Sequence, residues 1–128
     1  WGLEFRPDFD AVESGMDAFI NWNKEFTGKS ATLAAKEAGS KRKLVTLVID
    51  TPIDVTSDEA VLVGDTAVGY ITSGGYAHHA QCSMAMAYVV TEHAEAGTTL
   101  DVEILGERYG ATVQGAPIYD PSGSKMRD

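Results

Sequence analysis

The stretch Gly64-Asp-Thr-Ala-Val-Gly-Tyr-Ile-Thr-Ser-Gly-Gly-Tyr-Ala-His-His-Ala-Gln-Cys-Ser-Met-Ala-Met-Ala-Tyr-Val89 decides the fold. Gly64-Asp65-Thr66 separates two short apolar runs, Ala60 to Val63 and Ala67 to Thr72, which is a hairpin pattern. Thr72-Ser73-Gly74-Gly75-Tyr76 reads as a loop, because two adjacent glycines are free to take positive φ. Ser83 to Val90 then alternates small and large residues, with Met84, Met86, Tyr88 and Val90 on one face of a strand. Upstream, Leu44 to Ile49 is apolar and rich in β-branched residues, as in a buried strand. Downstream, Thr99 to Leu105 and Arg108 to Gln114 flank a tight turn at Gly106-Glu107. Evenly spaced short strands favour closure, which removes exposed edges. The expected fold is mainly β: a small antiparallel, Greek-key-like barrel of about six strands.

The first third of the chain differs in character. Residues 1–24 mix aromatics (Trp1, Phe5, Phe9, Phe19, Trp22) with acids, and Pro7 favours an extended residue before it and a turn after it. Two readings stand side by side, a segment that packs on a larger body and a cap on the barrel. Lys29 to Ala38 is rich in the strong helix formers Ala, Leu, Lys and Glu and is followed by Gly39, a C-terminal capping residue. This predicts a short helix with Leu33 and its neighbouring alanines turned inward. Gly28-Lys29-Ser30 is not a phosphate loop, since Asn23 stands where its first glycine belongs and no buried strand precedes it. The division is therefore a linker with a short helix over 1–40 and a barrel over 41–128.

A formal charge of −9 on 128 residues argues against nucleic acid as a partner, which requires a concentrated basic face. Lys41-Arg42-Lys43 is the one compact basic cluster, and it reads as a solvated strand entrance, with contact to an anionic ligand tail as the alternative. Cys82 is the only cysteine, so no intrachain disulfide forms, and a reducing compartment follows: bacterial cytoplasm or mitochondrial matrix. No apolar run is long enough to cross a bilayer, and no signal-peptide pattern is present. A start at Trp1 without Met reads as a piece of a longer protein.

Chemistry-bearing residues are few. His78 and His79 are adjacent, so in a strand they would face opposite ways, and Cys82 and His93 complete no recognised metal spacing. One histidine of the pair on a loop is a candidate ligand contact. Ser73 and Tyr76 are candidates for the same role, against the plainer alternative of a glycine-permitted corner. Cys82 reads as a buried inert thiol. Asp54, Asp58 and Glu59 read as solvated loop carboxylates, and Pro117 to Pro121 as the barrel's end, with a mobile tail from Pro121. No Ser or Cys stands in a nucleophile motif. No catalytic residue and no metal ligand is assigned.

Several motifs in fixed order carry a family resemblance: Trp1-Gly2-x-Glu4-Phe5, Glu13-x-Gly15-Met16, Glu25-Phe26-Thr27-Gly28-Lys29-x-Ala31, Val68-Gly69-x-x-Thr72-Ser73-Gly74-Gly75-Tyr76, Ser83-x-Ala85-x-Ala87-Tyr88-Val89 and Tyr119-Asp120-Pro121-x-Gly123. Together they resemble the C-terminal barrel of folate-dependent aminomethyltransferases of the glycine cleavage T-protein type, in the branch found at the end of sarcosine and dimethylglycine dehydrogenases. The resemblance implies a larger enzyme whose N-terminal flavin (FAD) domain oxidises an N-methyl amine. Its folate-binding domains would pass the released one-carbon unit to tetrahydrofolate. The reactive carboxylate, most pterin contacts and the flavin attachment site would lie upstream, leaving this piece inactive alone and dependent on the remainder of its own polypeptide. Phe19, Ser73, Tyr76 and His78 are the folate-adjacent candidates. T-proteins carry Gly-Trp where this chain has Asp17-Ala18, which favours the dehydrogenase branch. The alternatives are a piece of a flavin-free aminomethyltransferase or demethylase, and a non-catalytic packing module.

Overall fold

The computed structural model describes residues 2–127; Trp1, which opens the first motif, and Asp128 lie outside them. Six strands, β1 (Arg42–Ile49), β2 (Ala60–Val63), β3 (Thr66–Ala77), β4 (Cys82–Val90), β5 (Thr99–Ile104) and β6 (Glu107–Gln114), close into an antiparallel barrel in the order β1-β4-β3-β2-β5-β6. β2, β3 and β4 form a meander, and β1 returns beside β4, a Greek-key connection. The ladder from Arg42↔Val90 to Ile49↔Ser83 joins β1 to β4, and β6 closes on β1 from Thr46↔Gln114 to Ile49↔Ala111. One helix, α1 (Lys29–Ala38), precedes the barrel.

Period-two alternation builds the core. Val45, Leu47 and Ile49 point inward from β1, Ala85, Ala87 and Val89 from β4, and Leu100, Val102 and Ile104 from β5. On β4 the small residues face in, while Met84 and Met86 face out and stay half-buried. The connection between β1 and β2 plugs one barrel end. Val55 is buried there, and the inward Ser83 hydroxyl donates to the Ile53 carbonyl at 2.7 Å.

The Thr72–Tyr76 segment corrects the sequence reading. It is not a loop: β3 continues through it to Ala77, and neither Gly74 nor Gly75 has positive φ. The chain turns at residues 78–81 instead, with Gln81 at φ 54. Gly74 is required by close approach, because a Cβ there would lie 2.3 Å from a Val55 methyl. A bulge between Ile71 and Ser73 adds Thr72 to the strand. Its hydroxyl donates to the Met86 carbonyl at 3.0 Å, satisfying a polar group that the bulge carries into the core.

Smaller corrections have equally local causes. The second hairpin turns on Leu105-Gly106, at φ 51 and 84, one residue earlier than expected. Both residues need left-handed conformations, and Gly106 supplied only half of that signature. α1 has the expected limits, with Gly28 and Gly39 both at positive φ at its ends, but it buries no residue fully. Leu33 and Ala35 are half-buried, while Ala31 and Ala34 are exposed. Cys82 is half-buried rather than buried, since it begins β4 on the outer face. In the tail, the Asp120 carboxylate accepts from the Ser124 and Lys125 amides at 3.0 Å and folds Ser124–Met126 into one 3-10 turn.

Candidate functional site

The chain before the barrel does not trail away. Residues 4–14 lie across the outer face of β3 and β4, centred on Tyr88. That tyrosine points outward from its strand yet is only 1% exposed. The Phe9 ring stacks on it at 4.1 Å between centroids. The Arg42 and Arg6 guanidiniums sit 5.0 and 5.8 Å from the Phe9 centroid. Each arginine has an acid nearby, Glu13 at 3.6 Å from Arg42 and Asp8 at 3.1 Å from Arg6. Cation–π contact of this kind holds the ring in place at modest energy, about 0.5–1 kcal/mol where exposed.

Polar groups secure the same segment. The Tyr88 hydroxyl donates to the Glu4 carbonyl at 2.7 Å and meets Ser14 Oγ at 2.8 Å. Burial raises the Tyr88 hydroxyl above its ordinary pKa, against the lowering effect of Ser14. The Ser73 hydroxyl donates to the Glu4 carboxylate, and that bond is the main reason the carboxyl is held below its usual range. Farther along, Lys36 reaches Asp17 at 2.8 Å and depresses that carboxyl in the same way.

The sequence-selected residues fall in two places. Ser73, Tyr76 and His78 follow one another along the second half of β3 and into its turn, with Ser73 on the outer face opposite Met86 and Tyr76 on the other face opposite Ser83. Ser73 is engaged by Glu4, while the Tyr76 amide donates to Asp54 Oδ1 at 2.7 Å and its ring meets His78 edge-on at 5.1 Å. Asp54 is thus a backbone-fixing group, not merely a solvated carboxylate. His79 turns instead to Tyr119, at 4.6 Å. Phe19 belongs to a different element, the 3-10 turn Met16–Phe19, and is 81% exposed beside a part-exposed Met16.

Sequence reasoning missed the hollow on the arm itself. Phe5, Pro7, Phe9, Ala11, Ser14 and Met16 line about 620 Å³ of largely apolar space, with Arg6 and Asp10 also on its wall. The Phe5-x-Pro7-x-Phe9 spacing was the available clue. A second apolar groove, about 590 Å³, runs between Met84, Met86, the histidine turn and Tyr119. Among the described residues the hydrogen-bonded serines engage backbone, carboxylate or tyrosine, and none engages histidine. No group of three or more His, Cys, Asp or Glu converges among them. The arrangement offers apolar surface, aromatic edges and fixed hydroxyls, which suits binding and positioning more than bond-making.

Comparison with known proteins gives a consistent picture. The family described as the glycine cleavage T-protein C-terminal barrel domain matches residues 42–120, more than half the chain. Mitochondrial dimethylglycine dehydrogenase of Rattus norvegicus is 40% identical over 99% of this chain and 15% of its own length. An aminomethyltransferase of Picosynechococcus is 32% identical over 95% of this chain and 34% of its own. The crystal structure of aminomethyltransferase T from Bartonella henselae superposes with a TM-score of 0.86 at 22% identity, covering 94% of this chain and 35% of that one. The chain thus spans about a seventh of the dehydrogenase and a third of the transferases.

Proposed function

The chain belongs to the glycine cleavage T-protein C-terminal barrel family, and on that premise we propose that it forms the tetrahydrofolate side of a larger one-carbon enzyme. The reading extends to a flavin-dependent dehydrogenase of sarcosine or dimethylglycine. In it, FAD is held by residues outside this chain, and the released one-carbon unit passes to tetrahydrofolate. The observation that carries this extension is the dehydrogenase alignment. It runs through 99% of the chain at 37–40% identity, arm and helix included, against 32–35% for the aminomethyltransferases.

The residues present suit one wall of a folate cavity rather than a whole one. Met16 and Phe19 offer exposed apolar surface, and Tyr76 and His78 offer aromatic edges. Ser73 contributes through Glu4, to which its hydroxyl is committed. Tetrahydrofolate, when bound, supplies the nucleophilic nitrogens that accept the one-carbon unit. This chain's part is to bind, orient and exclude water. A piece of a flavin-free aminomethyltransferase is the second reading, favoured by the aminomethyltransferase relatives at 32–35% identity. The bacterial cytoplasm or the mitochondrial matrix suits either, and the rat relative is mitochondrial by name.

Calorimetric titration of tetrahydrofolate separates the outcomes. The full-length protein is expected to bind, and the 128-residue piece to show negligible affinity. Tight binding by the piece alone would refute the shared-cavity role, and no binding by the full-length protein would refute the folate reading. A flavin spectrum in the full-length protein distinguishes the dehydrogenase from the transferase.

A further inference from the structure

Tyr88 stands out among the outward-facing residues of β4. Met84, Met86 and Val90 share its face and remain half-buried, whereas Tyr88 is sealed by the arm. Its hydroxyl touches both ends of the covering loop, Glu4 through the carbonyl and Ser14 through Oγ. Its ring carries the middle of the loop through Phe9 at 4.1 Å. Each end has a second tie, Ser73 to the Glu4 carboxylate and the Leu44 amide to the Glu13 carbonyl at 3.1 Å. Among the described residues only Tyr88 reaches both. Ser14 leads directly into the Met16–Phe19 turn, so whatever fixes Ser14 fixes the base of that turn.

We propose that Tyr88 is a positioning residue whose hydroxyl latches the arm of residues 4–14 to the barrel and thereby sets where the Met16–Phe19 turn presents its apolar side chains to the ligand. This deepens the folate-wall reading and rests on it for the ligand's identity.

The hydroxyl geometry makes the latch releasable. Ser14 Oγ also approaches the Asp10 carbonyl at 3.0 Å, so two hydroxyl protons serve three contacts. One contact therefore always lacks a proton, and the network is weaker than three complete bonds. The remaining ties are one hydrogen bond at each end, Ser73 to the Glu4 carboxylate and the Leu44 amide to the Glu13 carbonyl, and the Arg42–Glu13 and Lys36–Asp17 pairs, whose partly exposed side chains hold little on their own. Removing the phenolic oxygen therefore loosens both ends of the loop at once, leaving one hydrogen-bonded tie at each end and the ring stack between them.

The test is made in the full-length protein with Tyr88→Phe, Ser14→Ala and a Tyr109→Phe control. Amide hydrogen exchange is read at residues 12–16 and across the barrel strands, alongside the tetrahydrofolate dissociation constant. Loss of hydrogen bonds of this class is expected to speed exchange at 12–16 about tenfold in Tyr88→Phe. The barrel amides should keep native rates, and tetrahydrofolate binding should weaken about three- to tenfold. Ser14→Ala should move both readouts the same way by less, and the control neither. Native exchange at 12–16 in Tyr88→Phe would overturn the latch, as would an equal loss of protection throughout the barrel. A loosened arm with unchanged affinity would overturn the positioning role. If the native full-length protein binds no tetrahydrofolate, the folate reading fails by itself, and the exchange result alone decides the latch.

Discussion

Ser73 and Glu4 show how one hydroxyl can tie distant sequence to a sheet face. The serine sits on the outer side of β3 and donates to a carboxylate near the start of the chain. Because that bond favours the ionised acid, the Glu4 carboxyl titrates below its ordinary value of 4.5. The sign follows from linkage: a carboxyl depressed in the folded state stabilises above the unfolded value, and its contribution disappears as pH falls through the folded one. Docking of the arm should therefore weaken on the acid side of pH 4.5, not the alkaline side. Ser73→Ala is expected to move the Glu4 titration up toward the ordinary value, read by carboxyl carbon NMR against pH. An unmoved midpoint would mean that the hydrogen bond does not hold the charge. Neither partner was visible as a pair in the sequence, since 69 residues separate them and no local pattern links them.

At the level of elements, β3 shows what was legible and what was not. Alternation and β-branched content marked Ala67 to Thr72 as a strand, and Gly64-Asp65 marked its turn. The Gly74-Gly75 pair misled because glycine answers two different needs, positive φ and missing volume. Here volume is the cause, and only the packing of Val55 reveals it. A methyl at Gly74 would lie 2.3 Å from Val55 Cγ1 and 2.9 Å from the Met84 carbonyl oxygen. Gly74→Ala should cost about 1–3 kcal/mol by overpacking. Gly110 lies in β6 without positive φ, and a methyl added there would meet nothing within 4 Å, so Gly110→Ala should stabilise by about 0.4–1 kcal/mol. Urea unfolding of the two variants should move the midpoint in opposite directions. Equal destabilisation would show that both glycines serve backbone conformation after all. The site residues divide in the same manner: Tyr76 and His78 do meet, as neighbours on one hairpin, whereas the Tyr88 hub needed the whole tertiary arrangement.

Across the whole molecule, closure depends on ladders of unequal length. β1 and β4 share eight register pairs, while β6 meets β1 over four and β2 meets β5 over two. Counting hydrogen bonds alone, the β5–β6 hairpin should swing away first, since each bond contributes only about 1 kcal/mol net. Burial argues the reverse. Detaching that hairpin exposes Leu100, Val102, Ile104 and Val113, all buried to 3% exposure or less. At about 1.5–3 kcal/mol for each side chain, that opening costs roughly 6–12 kcal/mol. A domain of this size has about 5–15 kcal/mol of stability in total, so the hairpin cannot open much more cheaply than the barrel unfolds. Native-state hydrogen exchange should therefore place the most protected amides of β5 and β6 on the same opening free energy as those of β3 and β4. Val102→Ala, a core truncation worth about 1 to 3 kcal/mol, should lower all of them together. A hairpin that exchanges through its own lower-energy opening, untouched by that substitution, would mean that the short seams govern stability and that the shared core does not bind the two halves into one cooperative unit.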